Sequence, residues 1–147
     1  MIEIGKTYKF NVERIEFGDI PKKRLHEFFK DGRNASFVLE EQLTHWFDEL
    51  TRVEGNKDHD HVDNEGRKYD AKNFTKHGLK FMPSNQLGAG RKFNESIAHS
   101  KAKELIYICC DIVNFPTVRV KFIKGEDLIK QFPKCSIPNS KRDVFYG

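Results

Sequence analysis

The chain has 147 residues and a formal net charge of +4 at pH 7, with 37% hydrophobic and 33% charged residues. This length allows one domain with its own core but not two independent ones, and the composition excludes an intrinsically disordered chain. No apolar run is long enough to cross a bilayer and the start MIEIGKTYKF lacks the order of a signal peptide, so we expect a cytoplasmic protein without membrane contact.

The first third of the chain predicts one strand or arm followed by two helices. Partial alternation in YKFNVERIEF favours a strand or an irregular arm. The segment PKKRLHEFFKDG predicts a short helix that begins near Pro21 and ends at Gly32. A stronger amphipathic helix follows in SFVLEEQLTHWFDEL, and Asn34 or Ser36 can cap its start.

The rest of the chain predicts two neighbouring strands between shorter helices. A loop at MPSNQLGAG precedes a helix in FNESIAHSKAKEL, and the β-rich runs LIYICCDIV and TVRVKFIK, separated by NFP, predict a hairpin. GEDLIKQF predicts a short helix before a polar tail interrupted by prolines. Cys109, Cys110 and Cys135 have no zinc-like spacing, and we expect buried, reduced thiols.

This order of elements predicts a small mixed central sheet flanked by helices, of α/β or α+β class. We expect one domain over residues 1–147. Residues 1–33 would be an N-terminal arm that could supply a dimer contact, residues 34–132 the core, and residues 133–147 the tail.

A second hairpin is hidden in the charged stretch KDHDHVDNEGRKYDAKNF. The loop Asn64-Glu65-Gly66 suits a three-residue hairpin turn, because the left-handed position at its end favours glycine. In this register, the residue numbers of each pair across the hairpin add up to 130. Side chains two apart on a strand share a face, so this register brings four side chains to one patch: Asp58, Asp60, Asp70 and Lys72.

Opposed carboxylates at Asp60 and Asp70 predict a bound cation. They repel each other unless positive charge lies between them, and carboxylates with a backbone carbonyl form the oxygen shell that Mg²⁺ favours. Lys72 beside them can hold a phosphate oxygen and activate a water molecule. The alternative is an exposed hairpin with weak surface ion pairs.

The spacing Asp60-x(9)-Asp70-Ala71-Lys72 matches the D-x(n)-[DE]-x-K signature and resembles the PD-(D/E)xK nuclease superfamily. The fuller string from Glu54 resembles the PvuII-like type II restriction endonucleases, which have Glu at the position of Asp70. The resemblance implies a restriction-endonuclease-like core within a single nuclease domain. It also implies a Mg²⁺-dependent homodimer, with no organic cofactor, that cuts both strands of duplex DNA at a short specific site in a restriction-modification system.

By motif position, Asp60, Asp70 and the backbone carbonyl of Ala71 would ligate the metal, and Lys72 would orient the attacking water. Two extra residues separate Glu54 from Asp60, which leaves the role of Glu54 open. The loop that reads bases in the resembled family contains a histidine run, which this chain replaces with MPSNQLGAG. We therefore expect a different recognition sequence.

The mildly basic balance permits a nucleic-acid partner. Asn and Gln can read adenine, and basic side chains can contact phosphates, although each is equally an ordinary polar surface residue. The candidate DNA contacts are Asn85, Gln86, Arg91, Lys92, Asn139, Lys141 and Arg142. Glu40 or Glu41 could add an acidic group to the site. His59 and His61 should lie opposite Asp60 and be solvated or face DNA rather than bind metal.

Two alternatives remain open from the sequence. The letters DHDH and SNQLG resemble the HNH fold of phage recombination endonucleases, in which a histidine activates water, although the paired zinc cysteines of that family are missing. A structure-specific nuclease belongs to the same class of alternatives. The other alternative is a DNA-binding module without catalysis. Single substitutions separate the PD-(D/E)xK interpretation from the HNH interpretation: loss of Lys72 should abolish cleavage under the first, and loss of His61 under the second.

Overall fold

The computed structural model describes residues 1–55 and 58–147, which form a mixed α/β fold. The strands are β1 (Thr7–Asn11), β2 (Thr51–Arg52), β3 (His61–Val62), β4 (Lys68–Phe74), β5 (Leu79–Lys80), β6 (Ile106–Asp111), β7 (Thr117–Lys124) and β8 (Ser136–Ile137). The helices are α1 (Lys22–Phe28), α2 (Gly32–Trp46), α3 (Glu95–Ala102), α4 (Gly125–Gln131) and α5 (Arg142–Tyr146). None of the helices in the described ranges combines the length and apolar character that crossing a bilayer requires.

Six strands form a mixed sheet in the order β1-β7-β6-β4-β3-β2. The β4–β6 pair is parallel and the other pairs are antiparallel. Strand β6 is buried along its whole length, which explains why its sequence IYICCD is almost continuously apolar. The predicted mixed sheet with flanking helices and the predicted β6–β7 hairpin are confirmed.

Each face of this sheet carries its own apolar core. Alternation along β4 sends Tyr69 to the face covered by α2, which we call the α2 face, with Ile106 and Ile108 of β6. Phe74 lies on the other face, which we call the α3–α5 face, with Tyr107 and helices α3, α4 and α5. Because alternate residues of a strand share a face, Lys68, Asp70 and Lys72 belong to the α3–α5 face.

The start of α2 differs from the sequence prediction. Gly32 does not end a helix, since it is the first residue of α2, and the cap is Asp31, whose carboxylate accepts a hydrogen bond from the backbone N–H of Arg33 (2.9 Å). Neither Asn34 nor Ser36 caps this helix. Asp31 has extended backbone angles, the conformation in which a carboxylate reaches the first free N–H groups of a helix.

The first strand belongs to the six-stranded sheet, and the last helix packs against that sheet. Strand β1, within the predicted N-terminal arm, pairs with β7 as an edge strand. In the predicted polar tail, Phe145 and Tyr146 are buried, and the Tyr146 hydroxyl donates to the Cys109 carbonyl (3.0 Å). The three cysteines are buried and free, as predicted.

The tip of the charged hairpin is held by Asp63, whose side chain is 3% exposed. Its carboxylate accepts hydrogen bonds from the backbone N–H groups of Glu65 (2.9 Å) and Arg67 (3.0 Å), from Arg67 Nε (2.6 Å) and from the Tyr69 hydroxyl (2.7 Å). Burial raises the pKa of Asp63, but the hydrogen bonds from Tyr69 and Arg67 outweigh burial and lower that pKa to about 2.

We expect Asp63→Asn to destabilise the fold by about 2–3 kcal/mol near pH 7, because the charged acceptor is lost while its buried donors remain. The folded-state pKa lies below the unfolded-state value of 3.8. The stabilisation is therefore complete above about pH 4 and is lost as the pH falls toward about 2. Urea unfolding of both proteins near pH 7 and pH 3 should show a smaller difference at the lower pH. Glu65→Gln, an exposed carboxylate, is the control, and equal stabilities of Asp63→Asn and wild type near pH 7 would contradict the prediction.

Candidate active site

The predicted register of the charged hairpin is confirmed for the residues between His61 and Tyr69. Val62 pairs with Lys68 and His61 with Tyr69, so paired positions sum to 130. Gly66 has φ +80°, the left-handed conformation that the turn requires. The alternation predicted for β4 therefore holds.

The ladder changes immediately before His61. The backbone N–H of Asp60 donates to the Tyr69 carbonyl (2.8 Å), although Tyr69 is already the partner of His61. Asp60 and His61 on one strand thus both oppose Tyr69 on the other, as in a β-bulge. The predicted pairings of Asp60 with Asp70 and of Asp58 with Lys72 are therefore not formed, because β3 begins at His61. The Asp58 carboxylate is instead exposed and lies 2.8 Å from His59 Nδ1.

Beyond the end of β3, the edge of β4 is bound by the side chain of Asp60 and not by a neighbouring strand. Its Oδ2 accepts a hydrogen bond from the backbone N–H of Ala71 (2.8 Å). The N–H and C=O of one strand residue point to the same edge, so the Ala71 carbonyl lies on the edge that Asp60 occupies. The structure therefore brings the Asp60 carboxylate and the Ala71 backbone together.

Asp70 and Lys72 lie side by side on the α3–α5 face. Lys72 Nζ is 3.3 Å from Asp70 Oδ2, and the two side chains are 17% and 14% exposed. Burial raises the pKa of Asp70 to about 6, with Lys72 opposing the rise and the Asp60 carboxyl adding to it. The structure thus places Lys72 beside Asp70 and the Asp60 carboxylate beside Ala71, the residue between them in the strand.

Strand β6 is the neighbour of β4 at the site, and its buried side chains form what we call the floor of the site. In the parallel register, Tyr107 lies beside Asp70 and Cys109 beside Lys72, and both residues are buried. The Tyr107 hydroxyl donates to the Phe81 carbonyl (3.3 Å), which places the start of the loop after β5 beside the site. Tyr107 was not recognised from the sequence, since only the pairing of β4 with β6 puts it next to Asp70.

His61 lies on the face of the sheet predicted for it, but it is not exposed there. His61 is fully buried, and its Nε2 donates to the backbone carbonyl of Glu40 on α2 (2.7 Å). Burial lowers the pKa of His61, which favours the neutral imidazole. The prediction of a solvated or DNA-facing role is wrong for His61, because strand alternation puts it on the α2 face with Tyr69.

The additional acidic candidates are engaged elsewhere or lie outside this face. The Glu40 carboxylate contacts Ser36 Oγ (3.4 Å) on α2. The Glu41 carboxylate lies 3.1 Å from His45 Nε2. Glu54 is exposed, and Asn56, the last residue of the Glu54-Gly55-Asn56 motif, lies outside the described residues.

Two of the residues predicted to contact DNA instead form hydrogen bonds that stabilise the loop after β5. The Gln86 side-chain oxygen accepts from the backbone N–H of Asn94 (2.9 Å) at the start of α3. Arg91 Nη1 donates to the Ser84 carbonyl (2.9 Å). Other predicted contacts are exposed, namely Asn85, Lys92, Asn139 and Lys141, and their contact with DNA stays a prediction.

Arg142 is part of a buried ion-pair network. Its Nη1 lies 3.1 Å from Asp111 Oδ2, and Asp111 also binds Arg119 (2.8 Å). Asp111 is 3% exposed in its side chain, so Arg142 compensates a buried charge that would be costly if left unpaired. This contact gives Arg142 a structural role, and its contact with DNA stays a prediction.

The donor set of the site is small. Within residues 1–55 and 58–147, no three His, Cys, Asp or Glu side chains form a group that could hold a metal ion. The site offers two carboxylates, from Asp60 and Asp70, and the backbone carbonyl of Ala71. These are hard oxygen donors, which leave further positions to water and to substrate oxygens, as Mg²⁺ sites commonly do.

Comparison of the chain with protein-family models, with curated proteins and with solved structures gives no match.

Proposed function

We propose that this protein is a Mg²⁺-dependent type II restriction endonuclease of PD-(D/E)xK type, which hydrolyses phosphodiester bonds in duplex DNA at a short specific site. The observation that carries the proposal is the meeting of Asp60, Asp70 and Lys72 at the edge of β4. Two carboxylates and one ammonium, all partly buried, lie around Ala71 of β4 where β3 has ended.

The residues present fit a divalent cation. Burial and the neighbouring Asp60 both disfavour the ionised form of Asp70, and positive charge between the two carboxylates would relieve that cost. Asp60, Asp70 and the Ala71 carbonyl would hold Mg²⁺, which when bound supplies positive charge to the phosphoryl oxygens of the substrate.

The chain's own contribution to the reaction comes mainly from Lys72. In phosphodiester hydrolysis, a water oxygen attacks phosphorus, the bond to the leaving sugar oxygen breaks, and negative charge spreads over the phosphoryl oxygens. The Lys72 ammonium, held 3.3 Å from Asp70, is preorganised to orient that water and to stabilise the developing charge. The buried floor of Tyr107 and Cys109 limits water around these groups, which strengthens their electrostatic effect.

The burial of His61 argues against the HNH alternative. A histidine that activates water must reach the substrate. His61 is fully buried, and its Nε2 is bonded to the Glu40 carbonyl on the α2 face, whereas Asp70 and Lys72 lie on the opposite face.

A digestion of plasmid and phage-genome DNA tests the proposal. With Mg²⁺, we expect the purified protein to produce discrete fragments whose ends define the recognition sequence, and with EDTA we expect intact DNA. A random smear would instead indicate a nonspecific or structure-specific nuclease. Intact DNA at every protein concentration with Mg²⁺ would support a DNA-binding module without catalysis.

The homodimer is part of the proposal, because cutting both strands of a palindromic site suits a two-fold symmetric protein. Sedimentation of the protein with and without duplex DNA tests it. Monomer under both conditions would remove the homodimer from the proposal and leave the chemistry of the site unaffected.

A further inference from the structure

A groove with an excess of basic side chains lies at the end of the sheet where β4 begins. We call it the basic groove. It has a volume of about 470 Å³ and four basic and two acidic side chains: Arg67, Lys68, Lys103, Lys124, Glu104 and Glu126. We propose that the basic groove binds the phosphodiester backbone of duplex DNA beside the bond being cut. This inference rests on the proposed function.

Lys68, which lines the groove, belongs to the same strand as Asp70 and Lys72 of the candidate active site. Lys68 precedes Asp70 by two residues on β4 and therefore shares its face with Asp70 and Lys72. A DNA strand at Asp70 and Lys72 can thus pass over Lys68 into the basic groove.

The two lysines across the groove are held together by a close backbone contact. The Gly125 N–H donates to the Leu105 carbonyl (2.9 Å), and a Cβ at Gly125 would lie only 1.9 Å from the Ala102 carbonyl oxygen. Lys103 follows Ala102 and Lys124 precedes Gly125, so this contact brings both lysines to the same groove. Their spacing is therefore preorganised by glycine at position 125.

The charges of the groove are available to an anionic ligand. Among the described residues, Lys68, Lys103 and Lys124 take part in no ion pair within 4 Å. All three are exposed. Arg67 is already bound to Asp63. Each such lysine that neutralises a phosphate releases counterions condensed on the DNA, and this release favours binding.

The test is the salt dependence of duplex binding by Lys103→Gln/Lys124→Gln. With a short duplex oligonucleotide in EDTA, we expect the slope of log affinity against log salt to fall by about 1.8, and affinity to fall roughly tenfold or more near 0.1 M salt. Single-turnover cleavage at subsaturating DNA should slow by the same factor as the affinity falls, because the two lysines act through DNA binding. The control is Lys9→Gln/Lys23→Gln, which removes the same charge from β1 and α1.

The outcomes separate this inference from the proposed function. An unchanged slope in a variant that still cuts DNA would overturn the basic groove. An equal loss of affinity in the control variant would also overturn it. So would a variant that binds duplex DNA as tightly as the wild type but binds an acidic peptide more weakly. A reduced slope in a protein that cuts no DNA would support the groove and overturn the proposed function. Absence of duplex binding by the wild type would overturn the groove, whatever the cleavage assay shows.

Discussion

Lys72→Ala is expected to slow DNA cleavage by roughly 10²–10⁴-fold, with duplex affinity within about threefold of wild type. The reason is that the Lys72 ammonium, 17% exposed and 3.3 Å from Asp70 Oδ2, is placed at the reacting groups, whereas one phosphate contact contributes little to the affinity of a whole duplex. Single-turnover cleavage and binding in EDTA measure the two quantities separately.

The matched control for this prediction is Lys76→Ala. Lys76 is exposed in the turn after β4, so its loss removes the same charge without touching Asp70. Circular dichroism establishes that both variants are folded. A Lys72→Ala protein that cleaves at the wild-type rate would show that Lys72 has no part in the mechanism. An equal loss of cleavage rate in Lys76→Ala would show that the effect comes only from the change in net charge.

Asp70→Asn is expected to abolish cleavage and, in EDTA, to stabilise the fold. Asn keeps the shape of the side chain but removes the charge that burial and Asp60 disfavour. Removing that repulsion should raise the thermal midpoint by about 3–6 °C, roughly 1–2 kcal/mol. Mg²⁺ should raise the midpoint of the wild type and leave that of Asp70→Asn unchanged, since only the wild type retains both carboxylates.

Asp58→Asn is the control for Asp70→Asn. The Asp58 carboxylate is 64% exposed and bound to His59, so we expect wild-type cleavage and an unchanged response to Mg²⁺. If Mg²⁺ stabilises Asp70→Asn as much as the wild type, the metal does not bind at this site. If Asp70→Asn cuts DNA at the wild-type rate, Asp70 has no part in the reaction.

Local rules account for the parts of the site that were predicted correctly. The turn at Gly66 and the alternation of β4 depend on neighbouring residues, so the pairing of His61 with Tyr69 and the shared face of Asp70 and Lys72 could be predicted from this segment. The bulge at Asp60 and His61 did not follow, because it depends on where β3 stops pairing. The same extra residue removed Asp58 from the patch.

The histidine and arginine predictions were limited by a different cause. His61 and Arg142 carry polar groups that commonly face solvent, and their sequence neighbours do not reveal that Glu40 or Asp111 lies opposite them. Their partners are 21 and 31 residues away in the chain. Hydrogen bonds over such separations are set by packing, so a polar residue cannot be assigned to core or surface from its own segment.

The sequence by itself determined the mixed sheet, the charged hairpin and the residue types of the site, because turns, alternation and helix periodicity are encoded within a few residues. Only the tertiary structure decided how Asp70 and Lys72 are buried, since their floor comes from β6, which pairs with β4 in parallel across a long connection. It also decided that Asp60 binds the Ala71 backbone, and that Gly125 brings Lys103 and Lys124 together. These features need contacts between distant segments, which form only when the whole chain packs.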